Sequence, residues 1–221
     1  MDEVRVRIPV GPLLRQGFAV QALKNHKSMP KKPKAILVHG WDGSPDGGWF
    51  PWLKKELESK GFKVLAPQLP KPEEPRISNW VPKLKEVVGT PDEQTYFIGH
   101  SMGCQAIARY LAALPEGTKV GGAVFVAGFF KSLTGLEDDE IVRDVADEWL
   151  KTPIDLSAIG KRLKKSIAVF ADNDPYVSAD NQEDFADKLK AKIIVEHGQG
   201  HFDSQKELPI ALKSILEIAD K

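Results

Sequence analysis

From residue 34 onward, short continuous apolar runs alternate with stretches in which apolar positions recur every three or four residues. The runs KAILVHG (34–40), FKVLAP (62–67), QTYFIG (94–99), VGGAVFVAGFF (120–130), SIAVFA (166–171) and KIIVEH (192–197) predict six strands. They are apolar on both faces, which suits a parallel sheet covered by helices on each side. Helical spacing predicts helices over 48–61, 77–89, 102–114, 178–190 and 205–221. Gly61 closes the first. Asn79 or Ser78 is the expected cap of the second, with Pro82 near its first turn. In the helix after Ser101, the positions Cys104, Ala108, Leu111 and Ala112 form the expected buried stripe. The proline-rich PQLPKPEEPR (67–76) reads as a surface loop.

Two regions stand apart. Residues 1–33 open with period-2 alternation at Val4, Val6 and Ile8, which predicts an extra edge strand, followed by a basic, proline-bearing linker. Residues 131–165 carry one helix or two and no strand signal, and read as an insertion between sheet strands. The expected architecture is α/β: a mostly parallel central sheet flanked by helices, with the insertion as a short lid. The main domain is expected over 34–221.

Composition narrows the class. A chain of 221 residues fits one domain and can bury roughly 70 % of its unfolded surface without staples. The 31 basic and 31 acidic residues cancel, so there is no electrostatic footprint for nucleic acid or an anionic membrane. No apolar run approaches the ~20 residues of a membrane span. The opening segment is interrupted by Arg5, Arg7 and Arg15 and lacks the apolar core of a secretion signal. With Cys104 as the single cysteine, no internal disulfide forms, and a cytoplasmic location is expected.

The stretch YFIGHSMGCQAIARYL (96–111) carries the chemistry. Gly99-His100-Ser101-Met102-Gly103 sits where a strand turns into a helix, which is the context of a nucleophile elbow. A Cβ at either glycine would strike the neighbouring strand or helix. The helix after Ser101 aims its free N–H groups at the site and favours an oxyanion. A serine hydroxyl needs a base and a group that orients the base. In this arrangement the acid precedes the histidine along the chain. VFADNDPYVS (169–178) offers Asp174, deeper in its loop, with Asp172 as the rival; VEHGQGHFDS (195–204) offers His201, with His197 as a strand-end histidine bonded to backbone. Ser101, Asp174 and His201 are the expected triad.

The oxyanion needs two backbone donors. Met102 N–H follows the nucleophile, and the glycine-rich loop VHGWDGSPDGGW (38–49) offers Trp41 N–H, with Asp42 as the rival. That loop lacks the spacing of a phosphate-binding motif. Trp41 and Trp49, with His100 and Phe129, are the candidate pocket-lining residues. His100 is also expected to pack or hydrogen-bond beneath the elbow. Cys104 reads as a buried packing residue, and the acidic run 137–140 as a solvated face or a helix start.

The segments ILVHGWDGSPDGGWFPWLKKELESKGFKVLAPQLP, NWVPKL, FIGHSMGCQAIARYL, DNDPYV and GQGHF resemble the small serine hydrolases of the retinoblastoma-binding-protein / YdeN-like group of the α/β-hydrolase superfamily. The resemblance covers roughly residues 34 to 221. It implies a compact α/β hydrolase with little or no cap and a Ser-Asp-His triad, which maps onto Ser101, Asp174 and His201. It leaves residues 1–33 without a place and suggests a somewhat larger lid at 131–165. The expected activity is hydrolysis of carboxylic esters with small to medium acyl groups through an acyl-enzyme on Ser101. An amidase or peptidase using the same triad, and a non-catalytic interaction module, are the alternatives. No metal or organic cofactor is implied. The expected partner is a small acyl substrate; monomer, homodimer and a protein partner stay open.

Overall fold

The computed structural model describes residues 31–136 and 139–220. The strand expected at Val4–Ile8 lies outside those residues. Strands β1 (Lys34–Val38), β2 (Lys63–Leu65), β3 (Thr95–His100), β4 (Val120–Val126), β5 (Leu163–Ala171) and β6 (Lys192–Glu196) form one sheet in the order β2-β1-β3-β4-β5-β6. Each neighbouring pair is parallel. The helices are α1 (Phe50–Ser59), α2 (Ile77–Val88), α3 (Met102–Ala112), α4 (Glu140–Lys151), α5 (Leu156–Gly160), α6 (Asn181–Asp187) and α7 (Pro209–Ile218).

Period-2 alternation sorts each strand's side chains onto two cores. Ile36, Val38, Phe97, Phe125 and Phe170 face a layer built with α2 to α6. Ala35, Leu37, Ile98, Val124 and Val169 face a layer built with α1 and α7. Both faces of the central strands β1, β3 and β4 are therefore almost wholly dry, which is why those strands read as unbroken apolar runs, whereas edge strand β6 leaves Val195 half exposed. The small residues early in β4 have a steric cause: a Cβ on Gly121 would stand 2.5 Å from the Tyr96 ring.

Helix α3 departs from the expected stripe. Every residue from Met102 to Leu111 is buried, while Ala112 is exposed. The helix is enclosed by the sheet on one side and by α2 and α5 on the other. Its buried Arg109 is accommodated because Nη2 donates to the carbonyls of Trp149 (2.6 Å) and Thr152 (3.0 Å), at the carboxyl end of α4.

Neither Ser78 nor Asn79 caps α2. Its N-cap is Arg76, and the Ile77 N–H donates to Glu148 of α4 at 2.9 Å. Pro82 lies inside the helix, just beyond its first turn. A distant carboxylate took the role that the local pattern assigned to a neighbour. Arg76 itself pairs with Glu74 (2.8 Å), Asp144 (2.7 Å) and Glu148 (3.1 Å), tying the 67–76 loop to the insertion.

The insertion contains two helices, α4 and α5. Asp139 caps α4, accepting the N–H groups of Ile141 and Val142, and Asp155 caps α5. The helix-start reading thus holds at 139–140; residues 137 and 138 lie outside the description. β5 begins earlier than expected, at Leu163. Lys164 and Lys165 are exposed there and hide the strand from an apolar-run search, yet the segment pairs with Val120 and Gly122 of β4.

Candidate active site

The strand order reverses between β1 and β3, and a crevice outside the carboxyl ends of strands forms at such a switch point. Ser101 stands there, between β3 and α3, with φ 51° and ψ −119°. A non-glycine residue in such a conformation costs about 1–3 kcal/mol and persists only when its surroundings hold it. Ser101 N–H donates to the Val126 carbonyl at 2.9 Å. A Cβ on Gly103 would sit 2.2 Å from the Val38 carbonyl oxygen, and one on Gly99 would sit 2.9 Å from Cys104 N. A Cβ on Gly40 would meet the Cβ of Ser101 at 3.1 Å. These three glycines let β1, β3 and α3 converge on one side chain.

Two aspartates and two histidines meet across the loops after β5 and β6, in register. Asp174 Oδ2 and Oδ1 lie 2.8 and 3.1 Å from His201 Nδ1. Asp172 pairs instead with His197 Nδ1 and accepts the Gly198 N–H at 2.9 Å. His197 is thus bonded to a carboxylate rather than to backbone. Burial separates the pairs: the Asp174 and His201 side chains are 2 % and 10 % exposed, those of Asp172 and His197 41 % and 96 %.

Asp174 also accepts the N–H groups of Tyr176 (2.8 Å) and Val177 (3.0 Å). Burial pushes its carboxyl up, but the His201 hydrogen bond and charge, with the two N–H donors, outweigh burial and hold it below the ordinary range. Asp174 is therefore an anion facing Nδ1 of His201. The proton of a neutral His201 belongs on that nitrogen, leaving Nε2 as the basic one.

In the loop after β1, the Asp42 N–H is committed to the Pro72 carbonyl at 2.7 Å. The N–H groups of Trp41 and Met102 have no protein acceptor among the described residues. His39 braces this loop. Its Nδ1–H donates to the Gly40 carbonyl (2.9 Å), and its Nε2 accepts the Leu69 N–H (3.0 Å). Burial pushes the His39 imidazole down, in keeping with that neutral form.

A cavity of about 720 Å³ has Trp41, Ser101, Met102, Phe129, Tyr176 and His201 in its wall. A second, of about 270 Å³, lies against the glycine-rich loop and is walled by Trp49, His100 and Phe202. The four pocket candidates thus divide: Trp41 and His100 border both cavities, Phe129 the larger, Trp49 the smaller. Trp49 is nearly fully buried and belongs chiefly to packing. Cys104 is buried, and burial pushes its thiol up, away from the reactive thiolate.

Sequence reasoning missed three contributors. His39 stands in the glycine-rich loop, where the sequence points only to backbone donors. Asn173 Oδ1 accepts the Gly200 N–H at 2.8 Å and completes a ladder in which residues 172, 173 and 174 each hold the loop after β6. Tyr176 meets the His201 ring edge-on at 5.1 Å. The signal for Asn173 was its place between two aspartates; the other two carried none.

A family profile described as serine hydrolase matches residues 35–209. The YdeN protein of Bacillus subtilis is 34 % identical over 170 residues, covering 76 % of this chain and 85 % of YdeN. Its crystal structure superposes with a TM-score of 0.77, over 86 % of this chain and 100 % of that one. The serine hydrolase RBBP9 of Rattus norvegicus is 31 % identical over 193 residues, covering 85 % of this chain and 98 % of RBBP9. Mouse alpha/beta hydrolase domain-containing protein 10 shares the fold alone, with a TM-score of 0.65 at 14 % identity, over 86 % of this chain and 90 % of that one.

Proposed function

Because the chain belongs to the serine hydrolase family, with an α/β-hydrolase fold, we propose that it cleaves carboxylic esters of small to medium acyl groups through an acyl-enzyme on Ser101. One observation carries the reading. Ser101 is held in a strained turn at the mouth of α3, in the wall of the cavity that also receives His201, whose Nδ1 is bound by the buried Asp174 anion.

Ser101 Oγ attacks the acyl carbonyl while His201 Nε2 takes its proton. The imidazolium so formed is stabilised by Asp174, then returns its proton to the leaving alcohol. The tetrahedral oxyanion is met by the N–H groups of Trp41 and Met102; one such donor is worth on the order of 10²–10³ in rate. Water, deprotonated by the same His201, releases the acid from the acyl-enzyme. A cavity of about 720 Å³ supports a small or medium acyl group, with Phe129 and Tyr176 as apolar wall. No step requires a metal or organic cofactor, since the serine, the imidazole and the backbone donors supply nucleophile, proton transfer and charge stabilisation.

A fluorophosphonate probe should label the wild type and not Ser101→Ala; equal labelling of both refutes the nucleophile. Parallel turnover of p-nitrophenyl esters and aminoacyl anilides tests the bond. A clear preference for anilides would replace the esterase reading by an amidase with the same triad.

A further inference from the structure

The loop that carries His201 is anchored by two side chains outside the Ser101, Asp174 and His201 set. His100 Nε2 lies 2.7 Å from the His201 carbonyl oxygen. A carbonyl only accepts, so Nε2 carries the hydrogen and donates it. Trp49 Nε1–H donates to the next carbonyl, that of Phe202, at 2.9 Å. Phe202 is fully buried with φ 57°, a left-handed conformation that costs a non-glycine residue about 1 kcal/mol. The donors are braced in turn. Trp49 stacks on Phe50 at 4.3 Å between ring centroids and meets His100 edge-on at 5.9 Å; the His100 and His201 rings lie 5.0 Å apart.

We propose that His100 and Trp49 are positioning residues for His201: by holding the carbonyls of residues 201 and 202, they fix where its imidazole stands relative to Ser101. This rests on the reading of Ser101, Asp174 and His201 given above. Asp174 orients the ring through Nδ1, but hydrogen bonds to one ring nitrogen leave the backbone free to translate. The two carbonyl anchors remove that freedom. One comes from the residue next to the nucleophile and the other from the start of α1, so base and nucleophile share a frame. His100 suits the task because it stays uncharged. Burial, and then the neighbouring His201, push its imidazole down to about 4. A cation there would oppose the imidazolium that forms on His201.

His100→Phe removes the donor and keeps a ring, whereas His100→Gln returns an amide N–H at similar reach. With p-nitrophenyl acetate, kcat should fall about 10- to 100-fold in His100→Phe, the scale of a base misplaced by about 1 Å, with KM changed by less than about twofold. In His100→Gln, kcat should recover most of that loss. Trp49→Phe, which deletes one N–H, should also lower kcat at constant KM. Near-ultraviolet circular dichroism establishes that each variant is folded. A folded His100→Phe with wild-type kcat, or a folded His100→Gln no better than His100→Phe, overturns the proposal. If His100→Phe fails to fold, Trp49→Phe decides: lowered kcat at constant KM supports the anchor, and unchanged kcat removes it. Failure of the wild type to take up fluorophosphonate at Ser101 would instead sink the underlying reading, and the proposal with it.

Discussion

Replacing Gly103 by alanine should damage stability and chemistry together. The new Cβ would lie 2.2 Å from the Val38 carbonyl oxygen and 2.6 Å from that of His39. Van der Waals contact between such atoms needs separations nearer 3.5 Å, so the backbones must part by roughly 1 Å. Neither side yields readily. β1 is paired on both flanks, and α3 is enclosed by the sheet, α2 and α5. The cost should therefore reach at least the ~3 kcal/mol upper end of ordinary overpacking, a Tm loss of roughly 6–12 °C for a domain of this size. Gly117→Ala is the control. Its φ is +77° and no heavy atom lies within 4 Å of the added Cβ, so only left-handed strain of about 1 kcal/mol applies, roughly 2–4 °C. Parting β1 from α3 also separates Trp41 from Met102, the two proposed oxyanion donors. Fluorophosphonate labelling should then slow at least about tenfold in Gly103→Ala and stay unchanged in Gly117→Ala. Thermal unfolding and labelling rates on the same preparations provide the measurement. A Gly103→Ala protein that melts like Gly117→Ala and labels at the wild-type rate would refute the reasoning.

Three further outcomes are expected. Asp174→Asn should lower kcat on the order of 10³–10⁴-fold at near-constant KM, because the amide no longer fixes the His201 tautomer, whereas Asp172→Asn, in its exposed pair, should cost under about tenfold in steady-state ester assays. Stability should fall in mild acid. The folded chain depresses the His100 imidazole to about 4 against about 6.5 unfolded, so stabilisation is complete above pH 6.5 and is lost as pH drops toward 4, on the order of 2–3 kcal/mol, with His39 acting in the same direction; urea unfolding from pH 7.5 to 4.5 should show a slope that flattens in His100→Gln. Asn173→Ala should remove the acceptor of the Gly200 N–H, cost about 1 kcal/mol by thermal unfolding and lower kcat/KM a few-fold.

Much of the architecture was legible because two periodicities speak clearly in this chain. Buried strands such as Ala35–Val38 read as apolar runs, and α1 and α7 show one apolar stripe each. The pattern failed where tertiary contacts override it. α2 is capped by Glu148, some seventy positions away, and β5 begins with two exposed lysines that only pairing with β4 makes a strand. α3 is enclosed on every side, so its stripe is only part of its buried surface.

In the candidate site the division is sharper. The elbow could be read from residues 96–111 alone, because the strand–turn–helix pattern and the demand at Gly99, whose Cβ would meet Cys104 N, lie within one unit; the demand at Gly103, set by the Val38 carbonyl of β1, exists only in the assembled sheet. Sequence also placed an aspartate and a histidine after later strands. It favoured Asp174 with His201 but kept Asp172 and His197 as rivals, since Asp172 to His197 and Asp174 to His201 are separated by nearly equal lengths of chain. Register between the two loops sets Asp174 against His201, and burial distinguishes that pair from the exposed Asp172 and His197. Sequence could not show that the Asp42 N–H is spent on Pro72, or that His100 and Trp49 grip successive carbonyls of the histidine loop. Local sterics are written into adjacent residues. Hydrogen-bond partnership between distant segments depends on distances and burial, which exist only once the sheet has brought those segments to one edge.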